Sequence, residues 1–129
     1  MEANVLIVDD SSTMVDTLNS ILSSQGCSVE ACRDAEAGWE RLAAGLSGKG
    51  TVPDLLLLDL NMPGLDGMAL LGRIRAEERL ARLPVVIITA ETDPWTRSKA
   101  LRAGADAFLS KPIVLSELLA RVEGFSTGQ

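Results

Sequence analysis

An α/β fold, in which a parallel β-sheet carries helices on both faces, is predicted by three observations on this sequence. Apolar runs of three to five residues alternate with segments of helical periodicity from end to end. The runs are too short for helices and are bounded by Asp, Gly or Pro. One of them, LLLL at 55–58, shows no polar alternation, as expected of a strand buried on both faces. Five strands alternating with five helices require right-handed crossovers, and hence a parallel sheet with two covered faces.

The first strand is NVLIV at 4–8, closed by Asp9-Asp10. Met14, Leu18, Ile21 and Leu22 then fall at helical spacing, and the pattern stops at Gly26. Residues 28–32 form a second, weaker strand. Asp34 caps a helix whose inward face is Ala35, Trp39, Leu42, Ala43 and Leu46, and Gly45, Gly48 and Gly50 are assigned to the loop after it. Strand three, 55–58, is followed by a turn at Pro63-Gly64 and a helix from about residue 66, with Met68, Leu71 and Ile74 inward. Pro84 precedes strand four, 85–88. Asp93-Pro94 supplies an N-cap and an N1 proline for a helix that packs through Ala100 and Ala103 and ends at Gly104. A short fifth strand at 107–109 and a last helix near 115–123 complete the pattern.

At 129 residues the chain fits one domain, expected to span 1–129, and needs no disulfide or structural metal to reach a stable core. It is 47% hydrophobic but only 3% aromatic, so aliphatic side chains build the interior. Twelve basic residues against eighteen acidic ones give a net charge of −6, which argues against nucleic-acid and anionic-lipid contact. Histidine is absent, which removes the commonest general base and phosphate carrier. Cys27 and Cys32 are about 16 Å apart along an extended chain and point to opposite faces; they are expected to be free, buried and inert. The N-terminus enters a strand without a basic leader, and there is no apolar run near 18 residues, so a cytoplasmic protein without membrane insertion is expected.

In a parallel sheet all strand carboxyl ends lie on one edge, where ligands bind. That edge receives Asp9 and Asp10 after strand one, Asp59 and Asn61 after strand three, Thr89 after strand four and Lys111 after strand five. Two carboxylates about 4 Å apart repel by roughly 4 kcal/mol at an effective dielectric near 20, so such a cluster raises its own pKa values or collects a cation. A hard divalent ion with oxygen ligands, Mg²⁺ above all, suits it. An isolated Asp-Asp pair is ordinarily a turn or helix cap, Thr89 a β-branched strand end and Lys111 a surface charge; their shared edge favours a site. There Asp59 would be a nucleophile toward phosphorus, with Thr89 and Lys111 on the phosphoryl oxygens.

The motifs VDDS, LLDLNMPGLDG, TA and AFLSKP, with 30 residues from Asp59 to Thr89 and 22 from Thr89 to Lys111, resemble those of bacterial response-regulator receiver domains over essentially the whole chain. The resemblance implies a CheY-like, flavodoxin-like sheet of order 2-1-3-4-5. It implies Asp59 as phosphoacceptor, Asp9 and Asp10 as the acidic pair for Mg²⁺ (or Mn²⁺ in its place), and Asn61 as donor of a main-chain carbonyl to the metal. Thr89 and Lys111 then sense the phosphoryl group, Phe108 is the aromatic switch, and Asn61 and Glu91 set the lifetime of the phosphorylated state. Phe108 is also readable as ordinary core. Two departures are the long 45–53 loop, expected to affect only the end of the second helix, and Ile113 where an aromatic is frequent.

By that resemblance a histidine kinase or phosphotransfer protein is the phosphodonor and a downstream effector the receiver of the signal, through helix four, strand five and helix five. Trp95, Arg97 and Leu101 are candidate contacts there, and a phosphorylation-dependent dimer is a further option. The chain would catalyse its own phosphorylation and dephosphorylation without turning over an external substrate. A haloacid-dehalogenase-like phosphatase shares the chemistry but needs a second Asp two residues after its nucleophile, where Asn61 stands. A flavodoxin-like redox module would have its phosphate repelled by Asp9-Asp10, and a docking-only pseudo-receiver would have lost one of the acidic residues, Thr or Lys.

Overall fold

The computed structural model describes residues 3–60, 67–90 and 93–126. Asn61, Glu91 and the Pro63-Gly64 turn lie outside them. Five parallel strands, β1 (Asn4–Val8), β2 (Ser28–Cys32), β3 (Leu55–Leu58), β4 (Val85–Thr89) and β5 (Ala107–Ser110), form one sheet of order β2-β1-β3-β4-β5. The connecting helices are α1 (Ser12–Ser24), α2 (Ala35–Leu46), α3 (Gly67–Ala76), α4 (Pro94–Arg102) and α5 (Leu115–Ser126). Among the described residues no helix is long and apolar enough to cross a membrane.

The period-two alternation of strand side chains divides the core into two layers. Leu6, Val8, Leu56, Leu58, Val85, Ile87 and Phe108 face one way and pack with α2, α3 and α4. Their neighbours Val5, Ile7, Leu55, Leu57, Val86, Ile88 and Leu109 face the other way and pack with α1 and α5. β1, β3 and β4 are inner strands covered on both faces, which is why their sequences are nearly continuous aliphatic runs. β2 is an edge strand whose residues are exposed or half-buried and none fully buried, the physical origin of its weaker pattern.

Several boundaries differ from expectation. β4 and β5 each extend one residue further, to Thr89 and Ser110, because these two pair with each other. α5 continues to Ser126. A 3₁₀ turn at Glu78–Leu80 has no counterpart in the predicted pattern; burial of Leu80 stabilises it. Gly45 belongs to α2 and not to the loop, since the returning chain passes so close that a Cβ at Gly45 would lie 2.8 Å from the Thr51 carbonyl oxygen. The long loop is tied down where Arg41 donates to that same carbonyl at 2.8 Å, and it leads into the start of β3, away from the carboxyl edge. Trp39, Ala43, Leu46 and Met68 are only partly buried, whereas Gly38 and Leu70 take the innermost places. Cys27 is buried and Cys32 half-buried; both are free and lie on opposite faces, and burial pushes both thiols above the ordinary range.

At the amino edge, Arg75 fastens α3 to the chain between α4 and β5. Its guanidinium donates to Gly104 O at 2.9 Å, to Leu80 O at 3.2 Å and to the Asp106 carboxylate at 3.0 Å, and Asp106 also accepts from Val85 N–H at 2.8 Å. Gly104 has φ 113°, and a Cβ there would meet the Arg75 side chain at 2.8 Å. Arg75→Ala is therefore expected to cost about 2–3 kcal/mol, read as a lowered denaturation midpoint in urea, since it removes the guanidinium bonds to Gly104 O, Leu80 O and Asp106, of which Leu80 O and Asp106 keep only their backbone donors.

Candidate functional site

The backbone ladder continues one residue beyond the strands at the carboxyl edge, and the continuation carries the polar side chains. Asp9 N–H donates to Cys32 O at 3.1 Å, Asp59 N–H to Val8 O at 2.9 Å and Lys111 N–H to Thr89 O at 2.8 Å. Each of the three is thus fixed in position by a neighbouring strand before its side chain makes any contact. Alternation alone does not place Asp9 and Asp59 side by side. Their proximity follows from the parallel register that pairs Val8 with Leu58.

Carboxylate oxygens of Asp9, Asp10 and Asp59 lie within 4.8 Å of one another. Asp9 is 2% and Asp59 5% exposed, whereas Asp10 faces solvent. Lys111 Nζ donates to Asp9 Oδ2 at 3.0 Å and to Asp59 Oδ2 at 3.2 Å. The remaining oxygen of Asp9 accepts from Ser11 N–H at 2.9 Å. Ser11 also caps α1, its hydroxyl accepting from Met14 N–H at 3.2 Å, so neither Asp9 nor Asp10 is taken up as the helix cap. Two buried carboxylates and a third at the rim, with one ammonium between two of them, form a hard-oxygen donor set suited to a divalent cation.

Burial raises the Asp9 carboxyl above its ordinary value; the Ser11 N–H and Lys111 pull it down, and the Asp59 charge pushes it up again. Burial would lower the Lys111 ammonium, but its bonds and attractions to Asp9 and Asp59 outweigh this and hold it above its ordinary value. A carboxyl whose folded pKa exceeds the unfolded one contributes stability that is complete below the unfolded value and is lost as pH rises through the folded value. Asp9→Asn is accordingly expected to raise metal-free stability near neutral pH. The gain should vanish below about pH 4, as thermal melts in chelator across pH would show.

Thr89 is fully buried at the end of β4, paired with the residue preceding Lys111. Phe108 is 6% exposed on the α4 side of β5. Trp95, Arg97 and Leu101 are all exposed residues of α4. Gly67 was not singled out from the sequence, yet it opens α3 directly against the backbone that follows β3, and its N–H donates to Leu60 O at 3.3 Å. The DG pair in LLDLNMPGLDG was the available signal.

The sequence matches the response regulator receiver domain family over residues 5–123. The response regulator MprA of Mycobacterium bovis is 36% identical over 122 residues, covering 95% of this chain and 50% of that protein. The signal receiver domain of a signal transduction histidine kinase from Syntrophus aciditrophicus superposes with a TM-score of 0.85 at 31% identity, over 97% of this chain and 90% of that one. The Mn²⁺-bound form of the response regulator Rcp1 superposes with a TM-score of 0.81 at 26% identity, over 97% of this chain and 92% of that one. The chain spans half or less of the length of curated relatives it matches. Matched along nearly its whole length and folded in the same strand order, the chain belongs to the response regulator receiver domain family.

Proposed function

We propose that this chain, as one receiver domain over 1–129, accepts a phosphoryl group on Asp59 from the phosphohistidine of a histidine kinase or phosphotransfer protein. The observation that carries this reading is the convergence of three carboxylates and the Lys111 ammonium at the carboxyl edge of the sheet. A carboxylate oxygen of Asp59 attacks phosphorus, the P–N bond to the donor imidazole breaks, and an acyl phosphate forms; the departing imidazole takes up a proton. Asp9, Asp10, Asp59 and the main-chain carbonyl of Asn61 would hold Mg²⁺, or Mn²⁺ as in the bound form of Rcp1. When bound, the ion supplies positive charge that lets two anions approach.

Lys111 pairs with a phosphoryl oxygen once Asp59 is phosphorylated, exchanging one anionic partner for another without leaving the edge. The Thr89 hydroxyl binds a second oxygen and draws the chain after β4 inward. Phe108 repacks into the space released, and the surface of α4, β5 and α5 changes its affinity for a downstream effector or a second copy of the chain. Trp95, Arg97 and Leu101 present that surface. Asn61 and Glu91 control access of the hydrolytic water, so the signal is limited by autodephosphorylation. The chain acts on itself and turns over no external substrate; it works in the cytoplasm and binds no nucleic acid directly. Incubation with a small-molecule phosphodonor and Mg²⁺ should give a single phosphoryl adduct by intact mass; no adduct would sink the reading, and steady phosphate release from monoesters would replace it with a phosphatase.

A further inference from the structure

α4 is the least anchored helix of the fold. Ala100 is its one buried residue, and its apolar contribution to the core beside β5 is made by small side chains, Ala100 and Ala103. The larger body beneath that part of α4 is the Phe108 ring, which belongs to the same cluster. Over this ring stands Arg97, three residues before Ala100 and on the same side of the helix, with its guanidinium carbon 5.8 Å from the ring centroid. Among the described residues no carboxylate comes within ion-pair distance of Arg97, although Arg41, Arg75 and Arg79 each have one. Arg97 and Phe108 also line, with Lys111 and Glu117, a cleft of about 280 Å³ that runs from the carboxyl edge between α4 and α5.

We propose that Arg97 is a positioning residue for Phe108: its guanidinium lies over the face of the ring, favours the buried ring position and ties that position to the solvent side of α4. The proposal rests on the receiver reading, in which Phe108 is the group that moves. The face of an aromatic ring is negative, so a cation above it is attracted, and a planar guanidinium covers the ring better than an ammonium does. At an exposed position this attraction biases a two-state equilibrium by about two- to five-fold. Full reversal of such an equilibrium needs about 10⁴-fold, so Arg97 sets the balance point of the ring without locking it. Because the guanidinium is exposed, any ring movement is registered on the outer surface as a freed or captured cation.

The test uses the full chain labelled with 4-fluorophenylalanine, whose two Phe signals are assigned with Phe125→Leu. Fluorine spectra are recorded before and during titration with beryllofluoride in Mg²⁺. In Arg97→Ala and Arg97→Gln the buried-ring population should fall about two- to five-fold relative to the alternative, and the beryllofluoride midpoint should move by the same factor. Arg97→Lys should show a smaller change of the same sign. Gln keeps most of the aliphatic stem, so a Gln variant indistinguishable from the parent would reduce Arg97 to packing and overturn the proposal. In a Phe108→Leu background, followed by tryptophan fluorescence, Arg97→Gln should leave the midpoint unchanged; a persisting shift would mean that the charge acts on the anion directly, which also overturns it. A parent protein that does not respond to beryllofluoride removes the receiver reading and this proposal with it, whereas a responsive parent with unaltered Arg97 variants removes the proposal alone.

Discussion

Asp59→Asn is expected to abolish phosphoryl labelling, lowering the rate on the order of 10³-fold or more against the parent, as loss of a nucleophile does. The amide is nearly isosteric with the carboxylate and can still accept a hydrogen bond from Lys111 at the observed 3.2 Å position, so the fold should survive. The negative charge and the oxygen proposed to attack phosphorus are lost. Removing one of three clustered anions also relieves repulsion, so the metal-free variant should melt no lower than the parent. Divalent-ion affinity should fall with it, since two acidic side chains are left where three stood. Intact mass after incubation with acetyl phosphate and Mg²⁺ reads the first effect, and tryptophan-monitored Mg²⁺ titration the second. Equal labelling of variant and parent would place the acceptor elsewhere.

Gly67→Ala is expected to be the most damaging added methyl group among the described glycines. A Cβ at Gly67 would overlap the Asp59 carbonyl oxygen and lie 2.8 Å from Leu60 Cα and 3.1 Å from the Asp59 carbonyl carbon. All three atoms are backbone, so no rotamer change relieves the clash; either α3 shifts outward or the segment carrying Asp59 does. Overpacking against backbone costs about 3 kcal/mol, lowering the melting temperature of a domain of this size by about 10 °C. The same displacement moves Asp59 relative to Asp9, so divalent affinity and phosphoryl labelling should drop together. Gly72→Ala is the matched control on the same helix: nothing lies within 4 Å of its Cβ position, and Ala gains up to about 1 kcal/mol in helix propensity. Equal stabilities for the two variants would show that the Gly67 contact is not close.

The sheet and its helices were legible because the information is local. β1, β3 and β4 are short aliphatic runs, and Asp34 and Asp93 stand where the helix caps are, accepting from Ala37 and Thr96 N–H at 2.7 and 2.8 Å. Boundaries failed where a distant partner decided them. Thr89 and Ser110 remain in strands because they pair with each other, and Gly45 remains helical beneath the loop at Thr51. The 3₁₀ turn at Glu78–Leu80 depends on a burial site for Leu80 built by other parts of the chain. Cys32 was expected to be buried but lies on an edge strand, a property of sheet order that no window of residues reports.

The candidate site divides along the same line. By itself the sequence determined which chemistry the chain carries: three aspartates, a threonine and a lysine, each next to a strand end, with no histidine to serve as an internal phosphate carrier. It also fixed the edge on which they gather, because every strand in a parallel sheet ends on the same side. Only the tertiary structure decided how they are paired. Register brings Asp9 and Asp59 to one ammonium, 102 and 52 residues away from it in sequence, and burial makes Asp9 a weaker acid while Asp10 stays in solvent. The same is true of Gly67 against Asp59 and of Arg97 over Phe108. Distances and solvent access depend on what packs between residues far apart in the chain, whereas residue type and strand ends are written in consecutive positions.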